Sequence, residues 1–275
     1  MVGDALPVSD RPLRAVYAVA LAAARAGAQV VRQGLGRVGR PREKEAHHLV
    51  TEWDQRSEAA IVGVIRQHYP DDAILAEEGT RGGPDQAHRW IVDPLDGTTN
   101  FSHGYPVFCV AVAYEERGRL LVSAVVNPVL RETFSAIAGR GAWLNGRRLR
   151  VSTVASLAGA LVATGFPYEE EWLALALRQW ELVSYRAQGV RRDGAAALDL
   201  CYVAAGRFDA YWQVYLSPWD MAASVLIVRE AGGQVTDLQG GSFSLERREV
   251  LATNGLLHPE MVAVLRAAST PVGRG

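Results

Sequence analysis

The chain has 275 residues, 49% of them hydrophobic, and a net charge of -1. That length buries a sizeable core as one large or two smaller domains, and the balanced charge gives no bulk electrostatic case for nucleic acid or a membrane surface. The two cysteines, Cys109 and Cys201, sit in apolar or helical patterns and read as buried free thiols of a reducing compartment, and no Cys/His spacing suggests zinc.

Arg11 and Arg14 precede the apolar run Ala15 to Ala24, a superficial likeness to a signal peptide. The run is mostly alanine, however, and Arg25, Gln29 and Arg32 follow at helical spacing. The segment Leu13 to Gln33 therefore reads as an amphipathic helix, and the expected location is cytoplasmic. Nothing is long enough to span a membrane. Gly34-Leu35-Gly36-Arg37-Val38-Gly39 matches the dinucleotide fingerprint, but it follows a helix and runs into Pro41 and a charged stretch. A fingerprint must follow a strand and open a helix, so this reads as a loop.

Leu49 to Asp54 precedes a helix with Ala60, Ile61, Val64 and Ile65 inward, ending near Tyr69-Pro70. Asp54 reads first as its N-cap. Asp72 to Ala76 is a short strand ending at Glu77-Glu78-Gly79. Next comes the run Trp90-Ile91-Val92, which stops at Asp93 and is followed by Pro94-Leu95-Asp96-Gly97-Thr98-Thr99-Asn100. An apolar run closed by Pro and Gly reads as a buried strand feeding a turn. Pro94 turns the chain, and Gly97 permits backbone that a side chain forbids. Asp93 and Asp96 are then held close on a rigid turn, where they repel each other unless a hard cation such as Mg²⁺ relieves them. The amides of Gly97 and Thr98 face whatever sits beside that cation, and such amides favour phosphate. Together these read as a metal-assisted phosphate site.

Val107 to Tyr114, Leu120 to Asn127 and Glu132 to Ala138 read as strands, with Asn145-Gly146 a hairpin turn. This gives an antiparallel half covered by the two preceding helices. From about Ser152 strands and helices alternate. Leu161 to Thr164 is a strand, and Glu169 to Ser184 a helix. Gly194 to Cys201 opens a helix of small residues, and Phe208 to Gln213 is the next strand. Pro218-Trp219-Asp220 opens a further helix, stopped by Gly232-Gly233, with Ala222, Val225, Leu226 and Val228 inward. Asp220 alone reads as a cap.

Asp93-Pro94-Leu95-Asp96-Gly97-Thr98-Thr99-Asn100 after an apolar strand resembles the signature of the inositol monophosphatase family. Trp219-Asp220-Met221-Ala222-Ala223 with Arg229-Glu230-Ala231-Gly232-Gly233 resembles its second signature. The likeness runs from about Leu49 to the final helix. It is close to bacterial members in Gly189-Val190-Arg191-Arg192 and Ala204-Ala205-Gly206-Arg207. The resemblance implies a fold mixing α+β and α/β character, the layered α-β-α-β-α sandwich of the sugar-phosphatase type, usually as a homodimer. Residues 1–151 would form the half with the antiparallel sheet and most metal ligands. Residues 152–275 would supply Asp220 and the substrate side.

The same resemblance implies that Glu77, Asp93 and the Leu95 carbonyl hold one Mg²⁺ and that Asp93, Asp96 and Asp220 hold a second. A third, weaker ion is expected near Glu77. One ion polarises a water and another stabilises the leaving oxygen. Thr98, oriented by Glu77, helps activate that water. Asp54 supports the metal shell, and Lys44 approaches from a mobile loop. The amides of Gly97 and Thr98 hold the phosphate, while Gly194, Ala195, Ala196, Gln213 and Asp220 form the substrate side. Two positions depart from the pattern: His48 stands where many members carry Asp, and Gln213 where many inositol-selective members carry Glu.

The implied reaction is hydrolysis of a small phosphate monoester of the inositol 1-phosphate type. Related activities on histidinol phosphate, fructose 1,6-bisphosphate or a nucleotide 3'-phosphate stay open. So does a non-catalytic regulatory or nucleic-acid-associated protein on the same scaffold, with Arg147, Arg148, Arg150, Arg191 and Arg192 as contacts. The plainer reading of those arginines is a solvated surface balanced by acids.

Overall fold

The structure is a computed structural model and describes residues 9–37, 42–45 and 48–269. Helix α1 (Leu13–Gly34) comes first, as its amphipathic run predicts. The hairpin of β1 (Arg42–Glu45) and β2 (His48–Val50) leads into α2 (Glu52–His68). Then come β3 (Asp72–Ala76), β4 (Arg81–Gly82), β5 (Asp85–Asp96) and the short α3 (Thr98–Ser102). The first large sheet is completed by β6 (Cys109–Glu116), β7 (Arg119–Asn127), β8 (Glu132–Ile137), β9 (Gly141–Leu144) and β10 (Arg147–Arg148). Asn145 and Gly146 form the two-residue turn between β9 and β10, both with positive φ, as the Asn-Gly pair predicts.

The rest of the chain supplies β11 (Leu161–Thr164), α4 (Glu170–Ser184), β12 (Gly189–Arg191), α5 (Ala196–Ala204) and β13 (Ala210–Val214). It ends with α6 (Pro218–Glu230), β14 (Gln234–Thr236), β15 (Glu249–Thr253) and α7 (His258–Ser269). The second sheet has the order β12-β11-β13-β15-β14, parallel across its first three strands and antiparallel across the last three.

Side-chain alternation along the strands stacks these elements into layers. On β6, Val110, Val112 and Tyr114 join the core beneath α1 and α2, whereas Cys109, Ala111 and Ala113 join the core beneath α5 and α6. On β13, Tyr211 faces that same middle core, and Ala210, Trp212 and Val214 face α4 and α7. The result is the α-β-α-β-α sandwich that the resemblance implies. Ile61 and Ile65 of α2 are fully buried against α1 and the first sheet. Truncation of either to Ala costs about 2–5 kcal/mol.

Three local expectations are corrected. The first sheet is not wholly antiparallel, because β3 runs parallel to β5. After β4 the chain returns to the start of β3, so β5 leaves in the same direction. Pro94 does not end its strand. β5 continues to Asp96, and its register with β6 slips between Asp93↔Ala111 and Asp96↔Cys109. A proline has no N–H for the ladder, and the extra residue is absorbed as a bulge. Finally, α6 has no single inward face, since Met221 to Val228 are all buried. As a middle-layer helix it is enclosed by sheets on both sides, and only a helix apolar all round tolerates that.

Candidate active site

The parallel pairing of β3 and β5 places the site. Ala76 is opposite Val92, and the N–H of Glu77 bonds the Val92 carbonyl at 3.3 Å, so Glu77, just past the end of β3, lies beside Asp93 on β5. The bulge then redirects the chain. Asp93 accepts the Leu95 N–H at 3.0 Å, and the hydroxyl of Ser57 on α2 pins the Pro94 carbonyl at 2.8 Å. Gly97 adopts φ 88° and opens α3. A Cβ there would meet the Val107 carbonyl oxygen at 3.0 Å, so both conformation and space require glycine.

Two helix starts complete the ring. Ser217 caps α6, and Asp220 closes a capping box by accepting the Ser217 N–H at 2.7 Å. The start of α5 contributes the Ala197 N–H, which Asp96 accepts at 2.8 Å. Asp54 is not the N-cap of α2. That position is Thr51, and Asp54 closes the box three residues on, accepting the Thr51 N–H at 2.8 Å with Oδ2. Its Oδ1 accepts the Thr98 hydroxyl at 3.0 Å, and the Leu95 carbonyl lies at the same distance from that hydroxyl. The orienting partner of Thr98 is thus Asp54, where the resemblance assigned Glu77.

The acids of this site raise one another's carboxyls. Asp93 is 1% exposed. Burial drives its carboxyl well above the usual range, and the charges of Glu77, Asp96 and Asp220 drive it further. Burial and then Asp220 push Asp96 up to about 7, against the hydrogen bonds from Ala197 and Cys109. Asp220 is pushed up to about 6 by burial, with its capping bond and Arg248 pulling the other way. Like charges gathered out of water cost free energy unless protons or a cation neutralise them. Carboxylates and a backbone carbonyl are hard oxygen donors, which fit Mg²⁺.

The most compact acid groups lie elsewhere. Among the described residues, Asp10, His88 and Glu116, and likewise Asp72, Asp85 and His88, bring ligand atoms within 4.8 Å of one another. Both groups stand at the far end of β5 and are engaged by Arg11, Ser9 and Arg117.

A cleft of about 160 Å³ opens beside them and brings together Asp96, Gly194, Ala195, Ala196, Gln213 and Asp220. The side chains of Lys44 and His48 lie outside the described residues. Arg147, Arg148, Arg150, Arg191 and Arg192 are all exposed, as the solvated surface of the plainer reading has it, and Arg192 also borders the cleft. Sequence reasoning passed over Glu58. It is buried on α2 and accepts the N–H groups of Glu78 at 2.7 Å and Thr80 at 3.0 Å, so it fixes the turn after Glu77. Its signal was an acid four residues after Asp54, on the face that continues through Ile61 and Ile65. Asn100, the last residue of the first signature, joins two segments of the site. Its Nδ2 bonds the carbonyls of Val107 at 2.6 Å and Asp193 at 2.7 Å, tying α3 to the segment that precedes α5.

The layered α-β-α-β-α sandwich is the fold of the sugar-phosphatase type, with acids gathered on β5 and at the start of α6. The chain belongs to the inositol monophosphatase family, whose model matches residues 13–270. It is 46% identical to the Nus factor SuhB of Pseudomonas aeruginosa, over 86% of this chain and 90% of that protein. It is 45% identical to the inositol-1-monophosphatase of Synechocystis, over 86% of this chain and 83% of that protein. The crystal structure of the extragenic suppressor protein suhB from Bartonella henselae superposes with a TM-score of 0.88 at 38% identity, covering 92% of this chain and 98% of that one. No helix among the described residues is long and apolar enough to cross a membrane.

Proposed function

We propose that the protein is a Mg²⁺-dependent phosphatase that hydrolyses small phosphate monoesters of the inositol 1-phosphate type. The observation that carries this reading is the convergence of Glu77, Asp93, Asp96 and Asp220 on one site, where burial and mutual repulsion raise the Asp93 and Asp96 carboxyls. Glu77, Asp93 and the Leu95 carbonyl are the ligands of one ion, and Asp93, Asp96 and Asp220 those of a second. When bound, Mg²⁺ supplies Lewis-acid stabilisation of the phosphate oxygens and a more acidic water. Asp54 holds the Thr98 hydroxyl and takes the proton that the attacking water passes through it. Burial raises the Asp54 carboxyl, which suits it to accept that proton. The new P–O bond forms from the water oxygen, the ester P–O bond breaks, and the leaving alkoxide is protonated from solvent. The backbone amides of Gly97 and Thr98 steady the phosphate.

Two relatives of nearly equal identity bear different names, one a Nus factor and one a phosphatase. Retention of the whole acid set favours the phosphatase, since unused clustered acids only destabilise a fold. The test is release of inorganic phosphate from a panel of monoesters with Mg²⁺ and with chelator. Release that needs Mg²⁺ is expected, and no release from any monoester would remove this reading. On this reading the first half of the chain, 1–151, supplies most metal ligands and the second, 152–275, supplies Asp220 and the substrate side, and a homodimer is the expected assembly, open to sedimentation analysis.

A further inference from the structure

The phosphatase reading leaves open what the cleft asks of the alcohol half of its substrate. Gln213 is pinned inside the cleft wall. Its amide lies against Gly165, where a Cβ would come within 1.8 Å of Oε1. The buried Tyr211 hydroxyl donates to that Oε1. Turning the amide over would leave the phenol proton without an acceptor among the described residues, so the network fixes which end of the amide faces where. The end left for the cleft is the NH₂, which has no protein partner among the described residues and is not among the buried polar groups lacking one.

Arg192 lines the same cleft. Its guanidinium sits over the Phe166 ring, 5.9 Å from the centroid, and it has no carboxylate partner among the described residues. The remaining acid of the wall, Asp199, is 1% exposed and its Oδ1 has no partner. Burial pushes its carboxyl well above the usual range. Away from the acids assigned to Mg²⁺ and the buried Asp199, the cleft presents the Gln213 NH₂ and the Arg192 guanidinium, where a Glu at position 213 would present an acceptor.

We infer that this wall selects phosphate monoesters whose alcohol part carries a second anionic oxygen group, with the Gln213 NH₂ and the Arg192 guanidinium as its donors. The inference rests on the phosphatase reading and names a substrate class for it. A carboxylate and a second phosphate share this chemistry, and two substrate pairs separate them. Phosphoglycolate is compared with ethyl phosphate, and fructose 1,6-bisphosphate with fructose 1-phosphate, by kcat/KM with Mg²⁺. At least one anionic member is expected to lead its partner by about tenfold, the margin of a charge-assisted hydrogen bond over a neutral one, and the leading pair identifies the group. Arg192→Gln and Gln213→Glu should each collapse that ratio toward one or below it. A native ratio at or below one in both pairs overturns the inference, as does a ratio unmoved by both substitutions. Calorimetric binding of phosphonoacetate against ethylphosphonate, with Mg²⁺ present, repeats the comparison without turnover. If no monoester is hydrolysed, the phosphatase reading fails alone. Tighter binding of phosphonoacetate, lost in Arg192→Gln, then still supports the wall, and equal binding refutes it.

Discussion

Asp54 and Asp220 occupy the same position in the same local motif, though they stand on helices of different layers of the sandwich. Each is the third residue of its helix, and each closes a capping box with the hydroxyl residue three places earlier, Thr51 or Ser217. In both, Oδ2 accepts the cap residue's N–H, at 2.8 and 2.7 Å. The box thus fixes each carboxylate by one oxygen and leaves the other free of the cap, and in Asp54 that second oxygen accepts the Thr98 hydroxyl at 3.0 Å.

A cap residue that touches no ligand should therefore affect catalysis. Ser217→Ala is expected to cost about 1 kcal/mol of stability and to weaken Mg²⁺ dependence by loosening Asp220. Ser217→Thr should restore both. Melting temperature and the Mg²⁺ concentration for half-maximal activity are the measurements. A variant that melts lower but keeps its metal requirement would reduce the box to a purely structural cap.

Thr98 offers a sharper test of the proton path. Thr98→Ala should lower kcat by about 10²–10⁴, the range for a positioned acid–base group, with little change in KM. Thr98→Ser keeps the hydroxyl that Asp54 accepts at 3.0 Å and should retain most turnover. Asp54→Asn should fall as far as Thr98→Ala, and the double variant no further, because two members of one relay are not additive. Additive losses would show that the two residues act separately.

The buried acids set a dependence on pH that metal should invert. Asp96 is pushed up to about 7 and Asp220 to about 6, against an unfolded value of about 3.9. A carboxyl raised on folding contributes stability that is full below its unfolded pKa and is lost as pH rises through the folded one. The chelated protein should thus lose stability between about pH 4 and pH 7. Mg²⁺ holds the deprotonated forms, so the rise in melting temperature on adding it should grow across the same window. Asp96→Asn should flatten the chelated curve and make the metal-free protein slightly more stable, while abolishing most turnover. Melting curves with Mg²⁺ and with chelator, at about pH 5 and about pH 8, decide it. An Mg²⁺ shift of equal size at both pH values would argue against these acids as its ligands.

Much of this site was legible because its signals are local. Gly97 and the acids around it lie within one strand end, and a strand, a glycine and two carboxylates at fixed spacing need no partner to be recognised. What escaped depends on distant pairing. The bulge at Pro94 is defined only by the register against β6. The bond from Thr98 to Asp54 spans 44 positions, and Glu58 reaches 20 and 22 positions to Glu78 and Thr80. Helix α6 was misread for a different reason. Its run Met221 to Val228 is apolar all round apart from Ser224, which pointed to burial on every side, whereas a single face was sought.

The compact acid groups at the far end of β5 supply the last prediction, since geometry alone would nominate them as metal sites. Asp72 is 1% exposed and already accepts both terminal nitrogens of Arg11, at 2.6 and 2.8 Å, and the Trp90 indole N–H at 2.8 Å. Glu116 accepts the Ser9 hydroxyl at 2.6 Å and the Asp10 N–H at 3.1 Å. These acids anchor the entry to α1 on the sheet edge. They stand roughly 25 Å from Asp96 along the strand, at about 3.3 Å per residue. Arg11→Ala should therefore cost about 1.5–3 kcal/mol, the range for hydrogen bonds to a charged group. Breaking a fully buried pair would cost more, but Arg11 is partly in water and Trp90 still donates to the carboxylate left behind. The variant should melt lower than the native protein, yet keep the same kcat/KM and the same rise in melting temperature on adding Mg²⁺. If Arg11→Ala instead changed the Mg²⁺ shift, the ion would have to be assigned to this end of the sheet, and the strand-end acids would lose their claim to it.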